Sequence, residues 1–147
     1  MNRLSILLIG ISTAMTNFAA ESSLKIADLP AAVQSTVQEQ LKNATLIAIS
    51  KEKEKGKTLY EVESKVGNKS RDFMVDSAGK LVSVEEEVEL SSIPAAARQS
   101  IEKRATGGTI QRVEEVKSGT SVAYEATIKI KGKSSEIMVN ADGSVHK

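Results

Sequence analysis

The sequence predicts an α+β fold made of two tandem repeats, each one helix packed on a small antiparallel sheet of three to four strands. Three observations predict it. A gapless shift of 64 residues lays 29–83 on 93–147 with matches at turns and apolar positions. The chain has only two prolines, Pro30 and Pro94, and that shift superposes them in "LPAAV" and "IPAAA". Within each copy, an apolar stripe recurring every fourth residue gives way to alternating segments separated by glycine turns.

The matches include Ala31/Ala95, Ala32/Ala96, Thr45/Thr109, Tyr60/Tyr124, Glu61/Glu125, Met74/Met138, Val75/Val139 and Gly79/Gly143. They sit where structure demands particular residue types, which points to a tandem duplication. Asp28 and Ser92 precede the two prolines and are expected as helix N-caps. The prolines then fall in the first turn, where a missing N–H does no harm. Val33, Val37 and Leu41 form one helical stripe, and Ala97, Ile101 and Ala105 the other. The first helix is expected to end near Asn43, the second at Gly107-Gly108.

A first strand is expected from Leu46 to about Lys53, matched by Ile110 to about Val116. Its apolar spacing is three, as in Leu46/Ile49 and Ile110/Val113, which suggests a bulge or a change of face. After the polar turns "KEKEKGK" and "VKSGT" the second strand alternates, with Tyr60, Val62, Ser64 and Val66 on one side, as with Tyr124, Ala126, Ile128 and Ile130. Gly67-Asn68 and Lys131-Gly132 lead to a third strand whose Phe73 and Val75, or Ile137 and Val139, should face the helix. "DSAG" and "NADG" are turn chemistry. A fourth strand, Lys80 to Val88, completes the first copy; the second is expected to have a stub or none. Units of this size bury little surface alone, so the copies are expected to pack or share a sheet. "EEEVELSS" (85–92) connects them, with Leu90 as a candidate anchor.

The segment "MNRLSILLIGISTAMTNFAAES" has the layout of a secretory signal: Arg3, a short apolar run Leu4 to Ile11, then small residues to Ala19-Ala20. The run is too short to span a bilayer. The expected organisation is 1–20 signal peptide, 21–27 leader, 28–88 first repeat and 89–147 second repeat. The expected location is the bacterial periplasm or beyond, with no membrane span in the mature chain.

These residues resemble the PepSY and PepSY-like domains of exported bacterial proteins. The resemblance rests on "LPAAV", "YEVE" and "DFMVDSAGKLVSVEEE" in the first copy, and on "IPAAA", "YEAT" and "EIMVNADGSV" in the second. It covers nearly all of 28–147. It implies a helix-on-sheet fold, an envelope location and, for some members, inhibition or chaperoning of a peptidase. Tandem PepSY-like proteins are also compared with β-lactamase-inhibitor proteins. The surface of such an inhibitor is rich in aromatic side chains, whereas this chain has only Phe18, Tyr60, Phe73 and Tyr124, and no Trp. No inhibitory target is carried over.

Chemistry is sparse. The formal charge is +1, and without Arg3 the basic and acidic residues balance, so nothing marks a nucleic-acid or anionic-membrane partner. Cysteine is absent, which removes disulfides and thiolate chemistry. The single histidine, His146, stands at a terminus expected to fray. Glu85, Glu86 and Glu87 alternate along a strand and do not converge on a metal. Asp142-Gly143 lacks the other ligands of a calcium loop. "KEKEKGK" (51–57) reads as a soluble hairpin rim, or more sharply as an electrostatic docking loop. Tyr60 and Tyr124 read as core residues, or as anchors of a groove between repeats. Asn43 and Asn68 start incidental sequons. No catalytic, cofactor-binding or metal-ligating residue is assigned, and no cofactor. The expectation is a non-enzymatic exported binding or regulatory module. It engages another envelope protein, by inhibition of a peptidase or other enzyme among the options, with strand addition at open sheet edges as a docking mode. The alternative is a periplasmic small-ligand carrier with a cleft between the repeats. Partner identity and oligomeric state are left open.

Overall fold

A computed structural model describes residues 23–146, so the expected signal segment 1–20 and the start of the leader lie outside the described residues. The described chain divides into two compact units, 23–87 and 88–146.

The first unit runs through a short 3-10 turn (Ile26–Asp28), α1 (Ala31–Gln40), β1 (Thr45–Glu54), β2 (Lys57–Val66), β3 (Lys69–Asp76) and β4 (Leu81–Glu87). Its core joins Leu29, Val33 and Val37 from the helical side to Ile49, Tyr60, Val62, Phe73 and Val75 from the strands. The period-four stripe and the period-two strands meet there, and Val33, Val37, Val62 and Val75 are sealed from solvent. Leu24 and Ile26 of the leader close one side of this core.

The second unit repeats that order: a 3-10 turn (Leu90–Ser92), α2 (Ala95–Arg104), β5 (Gly108–Ser118), β6 (Ser121–Ile130) and β7 (Lys133–Asn140). Its core comprises Ile93, Ala97, Ile101 and Ala105 with Val113, Tyr124, Ala126, Ile128 and Val139. Leu90 packs against it, as expected of the connector, and Val88 N–H donates to Val113 O at 2.9 Å.

The expectation of two repeats, each with its own small sheet, is corrected. The strands belong to one seven-stranded sheet in the order β1-β2-β3-β4-β5-β6-β7, carrying two helices. Alternation and turn residues place strands locally. Which strands share a sheet is decided by backbone pairing, on which side-chain pattern is silent.

The caps also differ. Pro30 and Pro94 are themselves the N-caps, with extended ψ of 146° and 139°. Their carbonyls accept from Gln34 N (2.9 Å) and Arg98 N (3.0 Å). Asp28 instead closes the preceding turn by accepting from Lys25 N (2.9 Å), and Ser92 Oγ donates to Glu89 O (2.7 Å). Both expected caps thus serve the 3-10 turn that delivers the chain to the proline.

The three-residue spacing does mark a bulge: the register shifts between Leu46 and Ala48 in β1, and between Ile110 and Arg112 in β5. Where a stub or no fourth strand is expected in the second unit, there is a single bridge, Val139 to Val145. The tip of the β1–β2 hairpin has positive φ at Lys55 and Gly56, as the mirror-image turn of a tight hairpin requires.

Candidate functional site

Each sheet segment has a face toward its helix and a far face. Because β side chains alternate, register assigns every strand residue to one of them. In the first unit Ile49, Tyr60, Val62, Phe73 and Val75 point to the helix. The far face is therefore built from the opposite parity, and it is acidic: Glu52 and Glu54 from β1, Glu61 and Glu63 from β2, Asp72 and Asp76 from β3, Glu85 and Glu87 from β4. Lys57 and Lys65 are the basic residues of that parity. "KEKEK" is the clearest case, since strand alternation sends Lys51 and Lys53 to one face and Glu52 and Glu54 to the other.

At the centre of this face is Glu61. Across the ladder it lies opposite Ser50 on β1 and Met74 on β3, and Met74 lies opposite Ser83 on β4. Ser50 Oγ donates to the Glu61 carboxylate at 3.4 Å. Burial raises the Glu61 carboxyl to about 7, reinforced by Glu52, which also hydrogen-bonds it, and by the charges of Glu63 and Glu85. Glu61, Asp72, Phe73, Met74, Ser83 and Glu85 line a dimple no larger than a water molecule. Ser83 is 4% exposed, and its Oγ has no hydrogen-bond partner. Asp72 Oδ1 accepts from Ser64 N at 3.0 Å, and Glu87 Oε2 from Ser70 N at 3.0 Å, so the rim is held in place by backbone donors.

The corresponding face of the second unit is different. Glu125 lies opposite Glu114 and Met138, and Thr127 opposite Arg112 and Glu136. Burial raises Glu125 to about 7, with Glu136 and Glu114 adding to the effect and Arg112 opposing it. Arg112 Nε meets Glu114 Oε2 at 3.1 Å. Lys129 shares this parity, so positive charge is interleaved with negative here.

The other residues singled out from sequence fall as follows. Tyr60 and Tyr124 are core residues of their own units. Burial, and then the charge of Glu115, which it hydrogen-bonds, raise the Tyr124 phenol above its ordinary value. Glu86 points away from Glu85 and Glu87 and pairs with Arg71 at 3.1 Å. Asp142 accepts from Ser144 N (2.9 Å) and Oγ (2.6 Å), which lowers its carboxyl, and Asp142-Gly143 is a turn. His146 departs from the expected frayed end. It is half-buried, its Nδ1 lies 2.6 Å from Asn140 Oδ1, and its backbone N–H donates to Met138 O at 2.9 Å. Among the described residues no group of three or more His, Asp or Glu side chains is close enough to hold a metal ion.

Sequence reading passed over Glu61 and Glu125 because each was one charge in a strand. The signal that reveals them is parity: an acid at the same alternation position in every neighbouring strand.

No family model and no curated protein matches the chain. Solved structures do. A Bacteroides eggerthii protein provisionally described as periplasmic matches with a TM-score of 0.64 and 15% identity over 81% of this chain and 86% of that one. A DUF2874 family protein from Bacteroides ovatus gives 0.60 and 13% over 81% and 85%. A BLIP-like protein from Bacteroides fragilis gives 0.56 and 17% over 81% and 84%. At these identities the likeness is one of fold, and that fold is the one adopted by DUF2874 and BLIP-like proteins.

Proposed function

We propose that the chain is a non-enzymatic, exported binding module that engages another cell-envelope protein through the far face of its first unit. The observation that carries this reading is the charge sorting: a chain of nearly balanced charge gathers carboxylates from β1, β2, β3 and β4 on one side of a folded sheet. A fold neighbour provisionally described as periplasmic supports the envelope location, and a BLIP-like neighbour in fold supports a binding or regulatory role. The apolar segment before Ala20 supports export by a signal peptide. The matching order of elements after Pro30 and Pro94 supports duplication of one ancestral unit.

The edges argue for the face over strand addition. Leu24 N–H donates to Ile49 O and Ile49 N–H to Ser23 Oγ, both at 2.9 Å, so the leader occupies the outer side of β1. Val145 bridges the outer side of β7. Both segments blunt strands that would otherwise template another chain.

The test is a photo-crosslinking residue placed at Lys65, on the same face, in cells, with Glu102 of α2 as the control position. Both side chains are exposed. Discrete adducts with envelope proteins are expected from position 65 only. Their absence from both positions, with the protein folded and exported, rejects the reading.

A further inference from the structure

The acidic face is electrostatically unfavourable in the isolated protein. Asp72 and Glu85 are direct cross-strand partners, and like charges so placed destabilise a sheet. Glu52, Glu63 and Glu85 all act on Glu61 in the direction that opposes its ionisation. Beneath them Ser83 Oγ is buried, lines the dimple and has no partner, and an unsatisfied buried hydroxyl is itself destabilising. A sheet that only had to fold would place apolar or neutral side chains there. Structures keep such local conflicts where a ligand resolves them.

The carboxylates are too dispersed for a metal ion. Spread over adjacent strands, they suit several separate cations, each with N–H donors, as ammonium and guanidinium groups provide. We infer that this face holds a lysine- or arginine-rich segment of a partner protein, seated over Glu61, Glu63 and Glu85, with one cationic head at the Ser83 dimple. The inference rests on the binding-module reading and names the chemistry of its partner. Glu52 and Glu63 form the exposed rim that steers the segment in, and half-buried Glu61 with buried Ser83 forms the centre. The second unit, with Arg112 and Lys129 among its acids, does not compete for the same ligand.

The test uses the chain from residue 21 onward, which contains every described element, and a short fluorescein-labelled peptide alternating lysine and serine. A glutamate–serine peptide is the control. Fluorescence anisotropy is expected to show binding of the lysine peptide alone, weakening as salt rises through the physiological range. Replacing the exposed pair as Glu52→Gln/Glu63→Gln is expected to weaken it about fivefold or more, while Glu39→Gln/Glu102→Gln, which removes as much charge elsewhere, leaves it unchanged. Amide chemical shifts are expected to move at Glu61, Met74 and Ser83.

No binding of the lysine peptide, equal losses in the two double variants, or displacement of the peptide by calcium at equal ionic strength would each overturn the inference. Self-association of the protein that Glu52→Gln/Glu63→Gln abolishes would also overturn it, assigning the face to a second copy of the chain. Failure here with crosslinks still formed from position 65 rejects the basic segment and leaves the binding module standing. Loss of the crosslinks rejects the module itself.

Discussion

Gly79 lies so close to the first turn of α1 that a β-carbon built on it would sit 2.5 Å from the Ala32 carbonyl oxygen. Gly143 stands in the same relation to Ala96, at 2.6 Å. Thr36 Oγ1 donates to Gly79 O at 2.5 Å and locks the first of these contacts. The repeated "PAA" and the repeated turn glycine are therefore two halves of one contact between a helix and the turn after the third strand of its unit. Both glycines also have positive φ, 84° and 80°. Substituting alanine adds a clash with backbone to a strained conformation, so Gly79→Ala and Gly143→Ala are each expected to destabilise the protein by about 2 kcal/mol or more. Urea denaturation measures it, and a loss within about 0.5 kcal/mol, the range of ordinary surface changes, would refute the close approach.

Arg71 ties the end of α1 to the sheet. Its guanidinium donates to Gln40 O (3.3 Å) and Oε1 (2.6 Å), pairs with Glu86 at 3.1 Å and lies 5.5 Å from the Phe73 ring centroid. Arg71→Ala removes a C-terminal helix partner together with a planar contact, an expected loss of about 1–2 kcal/mol. Arg71→Lys restores charge but not the fork, and is expected to recover less than half. The aligned position in the second unit is Ser135, so a matching substitution there should be silent.

Stability should respond to pH in an unusual direction. Glu61 and Glu125 titrate near 7 when folded, against 4.5 for an unperturbed carboxyl. Between those values the folded state holds protons that the unfolded chain has released, so these two groups make stability fall as pH rises through the window. Glu61 is only half-buried, so solvent screening limits its share to roughly 1 kcal/mol, whereas Glu125 is 5% exposed and contributes the larger share. Urea midpoints are expected to increase from about pH 8 to about pH 5, and Glu61→Gln with Glu125→Gln to flatten that slope and raise the midpoint at the alkaline end. An unchanged slope in the double variant would show that both carboxyls ionise normally.

The leader is predicted to protect β1. A chain beginning at Asp28 leaves Ile49 N–H and C=O without Ser23 and Leu24 and uncovers the core side sealed by Leu24 and Ile26. Such a chain is expected to melt several degrees lower and to associate with concentration, as an exposed edge strand does. Light scattering that stays monomeric at high concentration would count against this role.

Much of this could be read from residue order alone. Val33, Val37, Ala97 and Ile101 announce their helices, and the Leu46/Ile49 spacing announces its bulge. These signals are local and depend on one chain segment meeting one core. The caps are not legible because Asp28 and Ser92 have side chains suited to two adjacent jobs, and only their hydrogen bonds in the fold show that the 3-10 turn claims them. Two repeats with separate small sheets and two repeats sharing one sheet are both compatible with the sequence, because which strands lie side by side across the two units leaves no mark on side-chain pattern. The acidic face was missed for a related reason: Glu61, Asp72 and Glu85 are far apart in sequence, and only register puts them side by side.

Alternation in "KEKEK" has an effect that reaches beyond the hairpin. It turns the first unit's sheet into a plate with a transverse dipole, an excess of carboxylates over Lys57 and Lys65 on one side, and Lys51, Lys53 and the Arg71–Glu86 pair on the other. Net charge, +1 for the whole chain, then says little about how the molecule meets a charged wall. Near neutral pH it should orient before it touches, presenting one side to an anion-exchange matrix and the other to a cation-exchange matrix.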